Sequence, residues 1–506
     1  MSFKIEYGIL KKYTEEHGVT EVVIPDGVTS IWVNAFYGCS SLTKIEIPDS
    51  VKHICWDAFG FCTSLKEINI PDSVISIGDC AFEDCSSLTE IKIPNRVKHI
   101  GVCTFSGCSS LAKIKIPNGV KSIEESAFSG TKWFNNYPDD FVIVNGILIK
   151  YKGSENNVVI PDSVKRIGDC AFEYCSNITR INIPDSVTSI GNMAFRWCSS
   201  LTEINIPNSV KSIGNYAFSG CSNITKINIP DSVTSIGNYA FRGCSNLIEI
   251  KISNRIKSIG GCAFSNTKWL ENYPDDFVII NGILIKYKGS ENNVVIPDSV
   301  TSIGDCAFSN CSRLFKINIP DSVTSIGDGA FSNCSSLTEI KIIDESCRSL
   351  IKIDISDSIT SIGDCAFNGC SSLKKIIFKN ITVPFYSTYV DKTDGVKYVI
   401  TMIKNKDFSV DYSVKISSVS KYVVACHFFN ENPDDEETFA YIKKNFLKIF
   451  KFAIDNDNTE FVIKVTEQGK FITKKNIDKL IDYSQEKKKL EISAILINYK
   501  NEKFIN

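Results

Sequence analysis

The chain has 506 residues, 43% hydrophobic and 23% charged, with a formal net charge of -2. That length is too great for one compact core and fits two or three domains or one extended array. The balanced charge argues against a nucleic-acid partner, which selects for a basic face, and no run of about 18 apolar residues suggests a membrane span.

The first residues, Met1 to Gly8, carry no basic patch followed by an apolar stretch, so no secretory signal is read there and a cytoplasmic location is expected. Phe3–Glu6, then Tyr7-Gly8, then Ile9–Tyr13 reads as a hairpin, and residues 1–20 are predicted to cap an open stack. The stack itself follows. Pro25, Pro48, Pro71, Pro94 and Pro117 stand 23 residues apart; the series resumes at Pro161, Pro184, Pro207 and Pro230, and again at Pro297 and Pro320. Ser253, Ile343 and Ser356 replace the proline in weaker copies. Each unit reads C-S-S-L-x-x-I-x-I-P-D-S-V-x-x-I-G-x-x-A-F, with the last pair running from Ala35-Phe36 to Ala366-Phe367 and Thr104 replacing Ala once.

The apolar spacing dictates the local structure. Ile181 and Ile183 are two apart and share one face of a short strand. Pro184 cannot donate to a ladder and starts a turn with Asp185. Val187 and Ile190 suggest a second short extended segment. One unit cannot close a core alone, but stacked units lay the same side chains on one another.

Two inserts, 131–160 and 267–296, break the period. From Thr131 and Thr267 they are identical at all but three of 34 positions, and they start 136 residues apart, which is one 44-residue unit plus four of 23. A duplicated block explains this. Each insert places Asn-Gly (Asn145-Gly146, Asn281-Gly282) between two apolar runs, the signature of a type I′ hairpin.

The repeats stop near Phe378, which bounds a solenoid over 21–378. Residues 379–432, including Tyr398–Ile403, form a connecting segment without a clear period. From 433 to 506 a small helical domain is predicted. Pro433 and the acids after it start a helix with Phe439, Ile442, Phe446, Ile449, Phe450 and Ala453 on one face. A second helix runs from about Asn458 to a stop at Gly469, Thr473 caps a third, and a fourth spans about Lys488 to Tyr499. Lys443-Lys444-Asn445 and Lys474-Lys475-Asn476, 31 residues apart, resemble the openings of ankyrin-type helical hairpins.

The repeat, present in more than ten copies over residues 1–378, closely resembles the BspA-like leucine-rich repeat family. The fold class expected is an α/β repeat: a β-rich leucine-rich-repeat solenoid of about 13 units, followed by the α-helical C-terminal domain. The resemblance also implies adhesion and protein binding, and a surface or secreted setting for most members.

Twenty cysteines fall mainly into two columns. Cys39, Cys62, Cys85, Cys108, Cys175, Cys198, Cys221, Cys244, Cys311, Cys334 and Cys370 lie four after the Ala position; Cys80, Cys103, Cys170, Cys262, Cys306 and Cys365 lie just before it. Both read as packing: the spacing within one unit, as from Cys80 to Cys85, is unlike the paired C-x-x-C of zinc sites, and no metal or cofactor is expected. His53 and His99 are two units apart, and no nucleophile elbow, P-loop, zinc-helix or dinucleotide motif occurs, so no catalytic residue is assigned and an enzyme is not expected.

The binding candidates are two aromatic pairs in the inserts, Trp133 with Tyr137 and Trp269 with Tyr273, and a polar stripe that includes Lys92, Lys115, Asn182, Asn205 and Asn228. Each Trp can instead cover the core where the repeat is interrupted, and the stripe can be a plain solvated face. The function expected is a non-catalytic protein-binding scaffold, the alternative a cell-surface adhesin for host or matrix components. A protein partner is expected, a glycan or matrix ligand is the other candidate, and a monomer without membrane insertion is anticipated.

Overall fold

The structure is a computed structural model that describes residues 2–343 except 321 and 338, short stretches between 354 and 384, residue 396 and residues 418–505. It divides into two compact units, 1–274 and 275–506. The solenoid has about 14 turns of about 23 residues.

In the first unit each copy makes two very short strands. One has three residues, such as Arg180–Asn182, and pairs in parallel with its counterpart a turn later, Ile181 opposite Ile204. The other has two, such as Ser189–Ile190, and pairs with Ser212–Ile213. Ile181, Ile183, Val187 and Ile190 all point inward and are buried, as the spacing requires. The phenylalanines form the spine. Phe172, Phe195, Phe218, Phe241 and Phe264 stack with ring centroids 5.0, 5.1, 5.3 and 5.5 Å apart and nearly parallel planes. The first copies do the same from Phe36 to Phe128.

Three further side-chain ladders link each turn to the next. The serine of P-D-S-V donates to the valine carbonyl one turn back, as Ser186 does to Val164 at 2.6 Å and Ser209 to Val187 at 2.6 Å. The Asp or Asn after I-G accepts a backbone N–H from the following turn: Asp169 from Asn192, Asn192 from Asn215, Asn215 from Asn238, Asn238 from Gly261. The thiol of the buried cysteine column donates to the phenylalanine carbonyl of the previous turn, at 3.1 Å for Cys198 to Phe172 and 3.0 Å for Cys221 to Phe195. Buried backbone acceptors are thus satisfied and the repeat's small residues have assigned tasks. The I-G glycine has no room for a side chain: a Cβ on Gly214 would sit 2.5 Å from the backbone of Gly191.

The hairpins are not excursions from the stack. Ile9–Thr14 pairs in parallel with Ser30–Ile31, and Ile147–Tyr151 with Arg166–Ile167, so the second strand of each hairpin is the first rung of a new sheet. Tyr13 and Tyr151 take the spine position and lie on Phe36 and Phe172 at 5.1 and 5.3 Å. The turns have positive φ at both central residues, 50° and 77° at Asn145-Gly146 and 51° and 75° at Tyr7-Gly8, as a type I′ turn needs. Residues 131–160 therefore end one block and start the next. The lysine on the starting strand serves the new edge: Lys150 Nζ donates to the Glu173 carbonyl at 3.4 Å, whose counterpart one turn on, the Arg196 carbonyl, accepts the Tyr174 N–H of the turn before it.

The second unit begins with the hairpin Phe277–Ile280 and Ile283–Tyr287, whose Asn281-Gly282 turn has φ of 50° and 80°. Tyr287, Phe308, Phe331 and Phe367 continue its own spine. Residues 343 and 356 mark weak copies; the side chain of the first and all of the second lie outside the described residues, as do residues 397–417 and Tyr398 among them. Five helices follow among the described residues: Ser418–Glu431, Glu436–Asp455, Thr459–Gln468, Ile477–Glu486 and Leu490–Lys500. The first lies inside the stretch 379–432 read as a connector. Asp435 caps the second helix, Asn458 caps the third and Gly469, at φ 63°, ends it. The fourth starts at Ile477 after Asn476 rather than from a Thr473 cap, because the Thr473 carbonyl accepts from the Asn476 and Ile477 N–H groups in a turn ahead of the helix. One hydrophobic cluster joins Leu284 and Phe308 to Phe450, Leu480 and Leu496, so helices and last turns share a core.

Candidate functional site

The polar stripe lies on the outer face of the three-residue strands. Lys92, Lys115, Asn182, Asn205 and Asn228 are all exposed, and parallel register sets Lys115 opposite Lys92 and Asn182 opposite Asn205. Lys92 is engaged by Asp72 at 3.1 Å. The column two residues earlier alternates in charge, so Lys113 meets Glu90, Arg180 meets Glu203 and Lys226 meets Glu249. These exposed pairs contribute little stability, but they neutralise much of the face's charge. Each block begins this face with an exposed valine, Val23, Val159 or Val295.

The insert aromatics are placed differently. Thr131 and Thr267 cap one-turn helices, Lys132–Asn135 and Lys268–Glu271. Trp133 sits edge-on to Phe128 at 5.1 Å, and Trp269 to Phe264 at 5.1 Å, closing the end of each spine. Tyr137 and Tyr273 pack edge-on against their tryptophans at 5.5 Å, and the Tyr137 hydroxyl donates to the Ile143 carbonyl. All four rings are half-buried.

A different group of aromatics is exposed. They line the edge where the chain turns around each Ala-Phe pair, which holds two positions of left-handed backbone per turn. One, two residues after the Phe, is glycine or asparagine in most copies: Gly107, Gly130, Gly220, Gly243, Asn266, Asn310 and Asn333 all have positive φ. In the first block it holds Phe61 (φ 58°), 39% exposed, and in the second Tyr174 (φ 62°) and Trp197 (φ 61°), which are 64% and 46% exposed. The Trp197 ring lies over Gly220, where a Cβ would come within 2.5 Å of it. Beside them Tyr216 and Tyr239, also left-handed, stack at 4.8 Å, with Arg196 over the first ring and Arg242 over the second. Sequence reasoning missed this row because it took aromatics where they cluster along the chain. Comparing copies position by position would have found it, since an aromatic there replaces a glycine or asparagine.

The cysteine columns also separate. Most of the column after the Phe is buried, with Cys175 and Cys311 half-buried, and burial pushes Cys39 and Cys244 up to about 12 and raises Cys62 and Cys221 as well, while a hydrogen bond with Cys108 and burial raise Cys85. The column before the Ala is left-handed at every cysteine. Among the described residues it brings one metal-ligating group together: Cys80, Glu83 and Cys103, whose ligand atoms lie within 4.8 Å of one another. The two histidines of the strand edge each hydrogen-bond a serine of the next turn, His53 to Ser76 and His99 to Ser122, both at 2.8 Å.

The BspA type leucine rich repeat region matches residues 10–135, 150–273, 280–347 and 343–400, in six copies, with the first three stretches starting within three residues of the second and first strands of the hairpins. The chain belongs to this family. Among solved structures, this BspA type protein is similar to a leucine rich cell surface protein of Faecalibacterium prausnitzii A2-165, with 32% identity over 65% of this chain and 80% of that one and a TM-score of 0.26. It is also similar to a leucine-rich repeat protein of Bacteroides ovatus ATCC 8483, with 28% identity over 74% of this chain and 85% of that one and a TM-score of 0.22. No curated protein matches the chain. No helix among the described residues of this BspA type chain is long and apolar enough to cross a membrane.

Proposed function

We propose that the chain is a non-catalytic binding scaffold that engages a protein partner through the turn edge of its second block. One observation carries this reading: Tyr174 and Trp197 occupy left-handed backbone and stay exposed. A Cβ in that conformation costs roughly 1–2 kcal/mol, which Gly and Asn avoid or reduce. Strain that burial does not offset points from the backbone to a contact made elsewhere. Tyr, Trp and Arg together are also the residue types that dominate protein interfaces. The strand face with Lys92, Lys115, Asn182, Asn205 and Asn228 is the flanking polar surface in this reading, and the half-buried Trp133, Tyr137, Trp269 and Tyr273 rank below it.

The test compares Trp197→Gly and Tyr174→Asn with the parent chain. Both variants should unfold at the same urea concentration as the parent or a higher one, while recovery of the partner in affinity capture falls at least ~10-fold, the scale of a lost hot spot. Equal recovery by all three chains would sink the assignment. We also propose a reducing, cytoplasmic setting, because the buried column works only as protonated thiols. Protease shaving of intact cells should leave the protein whole; its loss would favour the adhesin reading.

A further inference from the structure

We propose that Cys80, Glu83 and Cys103 form a binding site for a thiophilic divalent metal ion between the third and fourth turns of the first block. The two sulfurs and a carboxylate oxygen already lie within 4.8 Å of one another. A tetrahedral zinc site with Zn–S bonds of about 2.3 Å sets its sulfurs about 3.8 Å apart, so small side-chain rotations suffice. The backbone holds the pieces. Cys80 and Cys103 have matching left-handed conformations, φ 54° and 52°, and the Cys80 N–H donates to the Val102 carbonyl at 2.8 Å. The Glu83 N–H donates to the Cys80 carbonyl at 2.9 Å, which folds the carboxylate back over the first thiol.

The arrangement is particular to this place. Of the cysteines in the left-handed column, Cys170 is followed one turn later by Met193, Cys262 is preceded by Tyr239 and Cys306 is followed by Gly329. Only Cys80 and Cys103 fall in consecutive turns with a glutamate beside them.

A second observation is independent of the thiols. Asp57 stands one turn earlier in the same column, is only 7% exposed, and its Oδ1 has no hydrogen-bond partner. A buried carboxylate oxygen left unsatisfied one turn from Cys80 adds negative potential at that edge of the cluster, which a nearby cation would stabilise. Three protein ligands leave a fourth position for water.

The reduced full-length chain is titrated with Cd2+, read by the ultraviolet sulfur-to-metal charge-transfer band, and with Zn2+ against a chromophoric chelator. One equivalent should bind with the band present. Cys103→Ser should weaken binding at least ~10-fold and diminish the band, while Glu83→Gln should weaken binding and keep the band. Cys262→Ser should match the parent. Serine is tolerated at this backbone position, since Ser126 occupies it one turn later at φ 57°. Equal metal binding by the parent and Cys103→Ser would overturn the proposal. So would a Cys80–Cys103 disulfide under mild oxidation with no metal uptake by the reduced chain.

Discussion

The two cysteine columns of this solenoid use the same side chain five residues apart and do opposite things with it. In the buried column the thiol is a donor. Cys62, Cys85, Cys108, Cys198, Cys221 and Cys244 each give a hydrogen bond to the phenylalanine carbonyl of the turn before, at 3.0 to 3.2 Å. In the left-handed column the thiol is half-buried in most copies, and the position accepts Asn34, Asp57, Ser126, Met193, Tyr216 or Tyr239 instead. The first column is fixed by what the neighbouring turn needs. The second is held by its backbone and lets the side chain vary, which is where both a metal cluster and the Tyr216–Tyr239 stack have room to arise. Packing position, rather than residue type, decides whether a repeat column is structural or available for function.

The largest expected effect follows from protonation of the buried column. Burial raises Cys39, Cys62, Cys221 and Cys244 above the ordinary value near 9, with Cys39 and Cys244 at about 12. A folded pKa above the unfolded one means that the stabilisation is complete below about pH 8.5 and is lost as pH rises toward 12. Each thiol then removes about 1.4 kcal/mol per pH unit, and several act together. The urea midpoint, measured under reductant, should be flat to about pH 8.5 and collapse before about pH 11. A midpoint unchanged at pH 10.5 would show that the column is hydrated. Next in size is Phe218→Ala, which removes a ring between Phe195 and Phe241 and loosens the carbonyl that Cys244 uses. It should cost about 3–5 kcal/mol in urea unfolding, and a loss under ~1 kcal/mol would mean that the stack repacks freely.

Much of this was legible in the chain itself, for reasons that differ by region. Spacing alone places the strands around Ile181 and Ser189, and Asn145-Gly146 predicts its hairpin, because each rests on local backbone preferences. The helix over Glu436–Asp455 was readable from its stripe, whose members Ile442, Phe446, Ile449, Phe450 and Ala453 are buried. The helix Ser418–Glu431 was not. Its buried residues Val424, Ala425, Cys426, Phe428 and Phe429 run almost consecutively, so no helical period stands out. The Cys80, Glu83 and Cys103 cluster escaped because its second cysteine comes from the next turn, 23 residues on, whereas the motif was sought within one unit. Trp133 and Trp269 drew notice as clustered aromatics, although the rings at Tyr174 and Trp197 are more exposed.

Two smaller substitutions set the columns directly against each other. Cys221→Ala should cost about 1–3 kcal/mol, because it removes a fully buried thiol with its packing and its hydrogen bond to the Phe195 carbonyl, which keeps only the Cys198 N–H. Cys262→Gly in the left-handed column should change stability by no more than about 0.5 kcal/mol. Its φ of 54° strains any residue with a Cβ, so glycine recovers roughly 1 kcal/mol of backbone energy and gives back a similar amount through the greater freedom of the unfolded chain. Urea unfolding of the two variants side by side reads the difference. If Cys262→Gly lost as much as Cys221→Ala, the left-handed thiol would be bearing packing of its own, and variation along that column would have to be explained by compensation rather than by freedom.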